Sequence, residues 1–126
     1  MTELPPFELG YPRTELRRQL VAAVLAGKKT ATSGLWSEFM ADGDDVPAAG
    51  DRFVLHDAAD RPSAIVEVTD AQRVPAREID VAFARDEGEG FESVEDWRIA
   101  HEQFFRQPIA PDTEIVAIRF RLVKQL

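Results

Sequence analysis

Three short stretches of the sequence hold side chains able to do chemistry together. The first is Gly27-Lys28-Lys29-Thr30-Ala31-Thr32, which sets lysines among hydroxyls. A buried lysine can serve as a base, and a hydroxyl needs an adjacent base before it can attack a carbonyl. Lys29 and Thr32 are the natural pair, but an extended segment need not put them on one face, so a bend is required. The stretch is no phosphate-binding P-loop, because the first glycine and its four-residue spacer are missing. The second stretch, Asp86-Glu87-Gly88-Glu89-Gly90, alternates carboxylates with glycines and makes a tight acidic loop that a ligand can approach closely. The third, Trp97-Arg98-x-x-His101 followed by Phe104-Phe105, sets an arginine and a histidine three apart on a helix. Trp36 and Phe39 could form a wall that stacks on a planar ring. Core packing accounts equally well for Trp36 and Phe39, and it is the preferred reading for the helix aromatics and for His101.

The elements that must position these residues follow from periodicity. Residues 1–12 carry Pro5, Pro6, Gly10 and Pro12 and read as an irregular lead-in. Residues 13–27 predict a helix with Leu16, Leu20, Ala23 and Val24 inward, Arg17 and Arg18 outward, and Gly27 as its C-terminal cap. Residues 40–51 read as loop. Residues 52–56 and 63–69 predict a hairpin, and 76–85 a helix with Ile79, Ala82 and Phe83 inward. Ser93 opens a further helix, with Asp96 in a loose capping box and Trp97, His101, Phe104 and Phe105 along one stripe. Residues 114–123 alternate as a strand with Val116, Ile118, Phe120 and Leu122 buried and the other face wet. Strands and helices in this mixture predict a single α+β domain over residues 1–126, its strands able to curl into a small barrel.

Composition narrows the function. The chain has 126 residues, a net charge of −8, no cysteine and two histidines. Disulfides, thiolate metal sites and a cysteine nucleophile are excluded, and no metal or other cofactor is expected. An acidic surface disfavours a broad grip on nucleic-acid backbone. The charge is uneven: residues 78–102 hold nine acids against two bases, whereas residues 13–33 hold five bases against one acid. The second segment is a local basic patch that leaves single-stranded RNA in play. The apolar run near residues 20–26 is too short to span a bilayer, and the N-terminus lacks a signal-peptide pattern, so a soluble cytoplasmic protein without a membrane partner is expected.

In combination and order these motifs resemble the ASCH domain family, similar in fold to the PUA domains that bind RNA. The resemblance rests on Gly27-x-Lys29-Thr30-x-Thr32, Pro47-x-x-Gly50-Asp51, Glu87-Gly88-Glu89-Gly90, Trp97-Arg98-x-x-His101-x-x-Phe104-Phe105 and the strand around residues 116–120. The Glu-Gly-Glu-Gly and Trp-Arg-x-x-His elements look like one bacterial subgroup. The resemblance implies a PUA-like small β-barrel flanked by two to three helices. One branch of small bacterial members hydrolyses the acetyl amide of N4-acetylcytidine to cytidine and acetate with a lysine, a threonine three positions later and a glutamate. Those residues map onto Lys29, Thr32 and Glu87, with Glu89 a rival for the acid. This chain is longer than that branch, so the substrate differs more readily than the fold. Thr30, Ser33, Trp36, Glu89, Arg98 and His101 are the expected substrate contacts. The readings this leaves are an amidohydrolase on a small acylated nucleoside, an RNA- or nucleotide-binding module, and a ribonuclease on single-stranded RNA.

Overall fold

A computed structural model describes residues 4–7, 9 and 15–126. In chain order the elements are α1 (Glu15–Leu25), β1 (Ala31–Leu35), α2 (Trp36–Asp42), β2 (Arg52–His56), β3 (Pro62–Pro75), a 3₁₀ turn (Ala76–Glu78), α3 (Val81–Asp86), α4 (Val94–Phe105) and β4 (Glu114–Gln125). The strands form one antiparallel sheet in the order β1-β4-β3-β2. The long β3 and β4 carry register shifts at Ile65/Val66 and Val68/Asp70. An extra residue on one strand bends it and increases its twist, so this sheet curls into a half-barrel.

Each face of the sheet covers its own core. On one side Val66, Val68, Val116, Ile118 and Phe120 pack with Leu20, Val21 and Val24 of α1, and with Trp36 and Phe39 of α2. On the other, Ala31, Leu35 and Ile115 pack with Phe83 and Ala84 of α3 and Trp97 of α4. The first half of β4 is therefore covered on both faces. The expected wet face begins only at Arg119, and Leu122, expected inside, is exposed.

Further differences have local causes. Gly27 does end the first helix in a left-handed conformation, with the Lys28 N–H returning to the Ala23 carbonyl. Arg17, expected outside, is buried because its aliphatic stem lies on the inward stripe and its guanidinium donates to the Leu9 carbonyl. Met40, Ala41 and Asp42 belong to α2 and not to the loop. The segment after β3 breaks at Ile79, and the Asp80 side chain caps a new helix by accepting from the Phe83 N–H. That restart turns Ala82 outward and Ala84 inward. Ser93 caps α4 as expected, but Asp96 accepts from Glu92 N–H, one residue short of a closed capping box, and Phe104 is exposed. The lead-in is docked: the Phe7 N–H donates to the Val54 carbonyl, and Phe7 and Leu9 are buried. Gly10, Pro12 and Arg13 lie outside the described residues. Among those described, no helix is long and apolar enough to cross a membrane.

Candidate functional site

The sheet face beneath α3 and α4 brings the lysine segment, the acidic loop and the histidine helix together. β1 has weak strand propensity of its own. It is held by pairing with β4, while the Thr30 N–H donates to the Asp86 carbonyl and the Phe120 N–H to the Thr30 carbonyl. These bonds fix the C-terminal end of α3 over the start of β1. Lys29 and Glu87 are thereby sealed in, each side chain 1% exposed, with Nζ and Oε1 3.7 Å apart.

Lys29 Nζ donates to the Ala31 carbonyl at 2.9 Å, the Glu87 carbonyl at 3.2 Å and Glu89 Oε2 at 3.4 Å. Three acceptors match the three N–H groups that a lysine ammonium offers, and they hold Lys29 between β1 and the acidic loop. Glu87 gathers donors in turn. Its Oε2 accepts from the Trp97 indole N–H at 2.6 Å and from Ser33 Oγ at 2.8 Å, and its Oε1 lies 3.2 Å from His101 Nε2. Ser33 Oγ is also 3.1 Å from His101 Nε2. The other imidazole nitrogen, Nδ1, meets the Trp97 carbonyl at 2.7 Å, and the Trp97 and His101 rings stack 4.6 Å apart. No buried side-chain nitrogen or oxygen lacks a partner among the described residues.

Burial drives the Glu87 carboxyl up, but hydrogen bonding to His101, the Lys29 and His101 charges and the Ser33 hydroxyl together hold it below the ordinary carboxylate value. Glu89, with its side chain 25% exposed, lies above that value because burial and the nearby Glu87 charge outweigh Lys29. Burial pulls His101 down, yet its hydrogen bond to Glu87, the Glu87 charge and the Trp97 carbonyl raise it overall.

These directions fix a pH dependence of stability. The stabilisation from His101 is complete below its ordinary value of 6.5 and is lost as pH rises through the higher folded value. The stabilisation from Glu87 is complete above 4.5 and is lost as pH falls through its lower folded value. Glu89 has the opposite sign to Glu87: its contribution is complete below 4.5 and is lost as pH rises through its higher folded value. The melting temperature should therefore fall as pH rises above the ordinary histidine value of 6.5, and His101→Gln should flatten that limb. Scanning calorimetry along this limb checks it; a native limb as flat as the variant's would contradict the assignment.

Not every expected contact is in the cluster. Thr32 alternates onto the opposite sheet face, the face where Gly34 abuts Phe39, and no hydrogen bond joins it to Lys29. The hydroxyl that meets the acid is that of Ser33, on the same face as Ala31 and Leu35. Thr30 contributes its backbone. Trp36 lies across the sheet with the Arg73 guanidinium 3.9 Å over its ring, so it is no stacking wall for this site. Arg98 is taken up by Glu95 and Glu102. The expected basic patch disperses as well: Arg17 is buried, Arg18 pairs with Glu15, Lys29 is inside the cluster, and Lys28 is exposed.

Glu87, Glu89 and His101 present three ligand atoms within 4.8 Å of one another, the one group among the described residues that could hold a metal ion. The Lys29 ammonium, 3.4 Å from Glu89 and 3.7 Å from Glu87, already supplies positive charge there and would repel a cation. A separate cleft of about 140 Å³ lies farther along this sheet face, lined by Asp70, Gln72, Glu78, Asp80, Phe83 and Arg119. Its three acids and an arginine committed to Asp86 suit it poorly to a phosphate.

The structure is similar to that of protein EF3133 from Enterococcus faecalis V583, at 25% identity and a TM-score of 0.81 over 99% of this chain and 78% of that one. It is similar to an ASCH domain from Lactobacillus crispatus JV V101, at 23% identity and a TM-score of 0.80 over 96% and 80%. The hypothetical protein PH0355 shares the fold at 18% identity and a TM-score of 0.61, over 86% and 94%. No curated protein matches. The family model for the ASCH domain matches residues 9–124, and with the half-barrel and its buried lysine segment now described, the chain belongs to the ASCH domain family.

Proposed function

We propose that this protein hydrolyses the amide of a small acylated nucleoside, with N4-acetylcytidine as the reference substrate. The observation that carries the reading is the sealed Lys29–Glu87 pair, which meets the surface through Ser33, His101 and the partly exposed Glu89. Lys29, hydrogen-bonded to Ala31, Glu87 and Glu89, ties the acidic loop to β1 so that Glu87 and Glu89 stand beside Ser33 and His101. Glu89, its carboxyl pushed toward the neutral form, can hold the exocyclic nitrogen of the base. The dispersed basic patch favours this small, uncharged ligand over a length of RNA.

Purified protein incubated with N4-acetylcytidine should release cytidine and acetate, at a rate nearly independent of salt. Glu89→Gln, which removes no fully buried charge, should slow turnover by roughly ten- to a hundredfold. Lys29→Met should abolish turnover, with circular dichroism confirming that it folds. Failure to cleave any of a panel of acylated nucleosides would overturn the reading. Steeply salt-dependent binding of single-stranded RNA would then favour the binding module, and cleavage of that RNA the ribonuclease.

A further inference from the structure

We propose that Ser33 is the nucleophile of this site and His101 its base, an assignment that rests on the hydrolytic reading above and deepens it. The geometry begins with the Trp97 carbonyl. It can only accept, so its 2.7 Å contact places a proton on His101 Nδ1 in either charge state. In the neutral ring the lone pair is then on Nε2, 3.1 Å from Ser33 Oγ. The tautomer a general base needs is set by one backbone atom, and the stacked Trp97 ring holds the imidazole plane. Glu87 Oε1, 3.2 Å from Nε2, stabilises the imidazolium that forms when the serine proton arrives.

Ser33 Oγ has two possible proton acceptors, since Glu87 Oε2 is only 2.8 Å away. Glu87 is held below the ordinary carboxylate value and His101 above the ordinary imidazole value, so the proton comes to rest on the ring. Lys29 Nζ makes its hydrogen bonds to Ala31, Glu87 and Glu89, so the imidazole is the nitrogen base in contact with Ser33.

The steps balance without a further reagent. Ser33 Oγ bonds to the acyl carbon as its proton passes to Nε2. The C–N bond then breaks, the departing nitrogen takes that proton, and an acyl-serine ester is left. Water gives a proton to Nε2 and attacks the ester; acetate leaves, and Ser33 recovers its hydrogen. Only neutral His101 can start this sequence, so the rate should climb with pH through the raised histidine value. The charged groups facing the ring, Glu87 and Glu89 from the acidic loop and Lys29 behind them, determine where that limb falls.

The test is a serine-directed fluorophosphonate probe, which reports nucleophilicity without a nucleoside. Intact protein should be labelled, peptide mapping should place the label on Ser33, and labelling should quicken as pH rises. Ser33→Ala should remove the label, and His101→Gln should slow labelling by roughly 100-fold or more. Melting curves exclude misfolded variants, and Ser33→Cys, alkylated at a His101-dependent rate, is a second measure at the same atom. A label on Thr32, or none on folded protein at alkaline pH, overturns the assignment. N4-acetylcytidine separates the two proposals. Native turnover that survives Ser33→Ala removes the nucleophile and leaves the hydrolase; labelled Ser33 with every acylated nucleoside intact removes the substrate class and leaves the nucleophile.

Discussion

Glu87→Ala should lower the unfolding free energy by about 3–5 kcal/mol, the range found when one member of a buried ion pair is removed. The side chain is 1% exposed, and besides Lys29 three groups contact it: the Trp97 indole, the Ser33 hydroxyl and the His101 ring. Its loss leaves an unpaired indole N–H and a histidine without its counter-charge. It also deprives Lys29 of the fully buried one of its two counter-charges, since Glu89, though nearer, is partly solvated. Glu87→Gln keeps the volume but adds an amide donor among donors, so it should recover only part of the loss. Lys29→Met combined with Glu87→Met removes both charges. It should be more stable than Glu87→Met alone, because the dominant cost is an unpaired charge and not a missing bond. Urea unfolding of the native protein, Lys29→Met, Glu87→Met and the double variant measures this cycle. A Glu87→Ala cost below about 1 kcal/mol would mean that water reaches the pair.

What the sequence could convey about this arrangement depended on the range of the cause. Local causes were legible. Gly27 and Ser93 mark helix ends through bonds made within a few residues, and the four-residue spacing of Trp97 and His101 put them on one helix face, where they stack. The pairing of Arg98 is local as well: Glu95 and Glu102 stand at −3 and +4 on the same helix and take up its guanidinium. Arg17 was not legible, because periodicity counts it as polar and the carbonyl that receives it belongs to Leu9, in the lead-in.

The site required contacts of a different kind. Lys29 and Glu87 are 58 residues apart, and nothing in either segment indicates that they meet; only the family resemblance joined them. Thr32 and Ser33 show the finer limit. Strand alternation makes one of two adjacent hydroxyls face the acid, and which one depends on the residue at which β1 starts pairing with β4. That register is set by β4 and by the Asp86 carbonyl holding Thr30, both distant in sequence.

The same packing makes Gly88 the most constrained position in the acidic loop. Its φ is +71°, and a Cβ there would lie 2.5 Å from the Lys28 carbonyl oxygen, 2.6 Å from its carbon and 2.7 Å from Lys29 Cα. All three are backbone atoms, so no side-chain rotation relieves the overlap. Gly90 is the matched control, with a φ of +89° and nothing within 4 Å of its added Cβ. Gly90→Ala bears only the left-handed backbone penalty, about 1–2 kcal/mol. Gly88→Ala bears that penalty and must also push the loop off the lysine segment, so its cost should reach about 3 kcal/mol or more. The displacement acts on Glu87 and Glu89 from between them and draws both away from Lys29. In Gly88→Ala, stability and turnover should therefore fall together, whereas in Gly90→Ala the hydrolytic rate should hold while the urea midpoint drops slightly. Equal midpoints for the two variants would show that the loop can rise from Lys28 at little cost, and the acids would then be held by their own hydrogen bonds and not by this backbone contact.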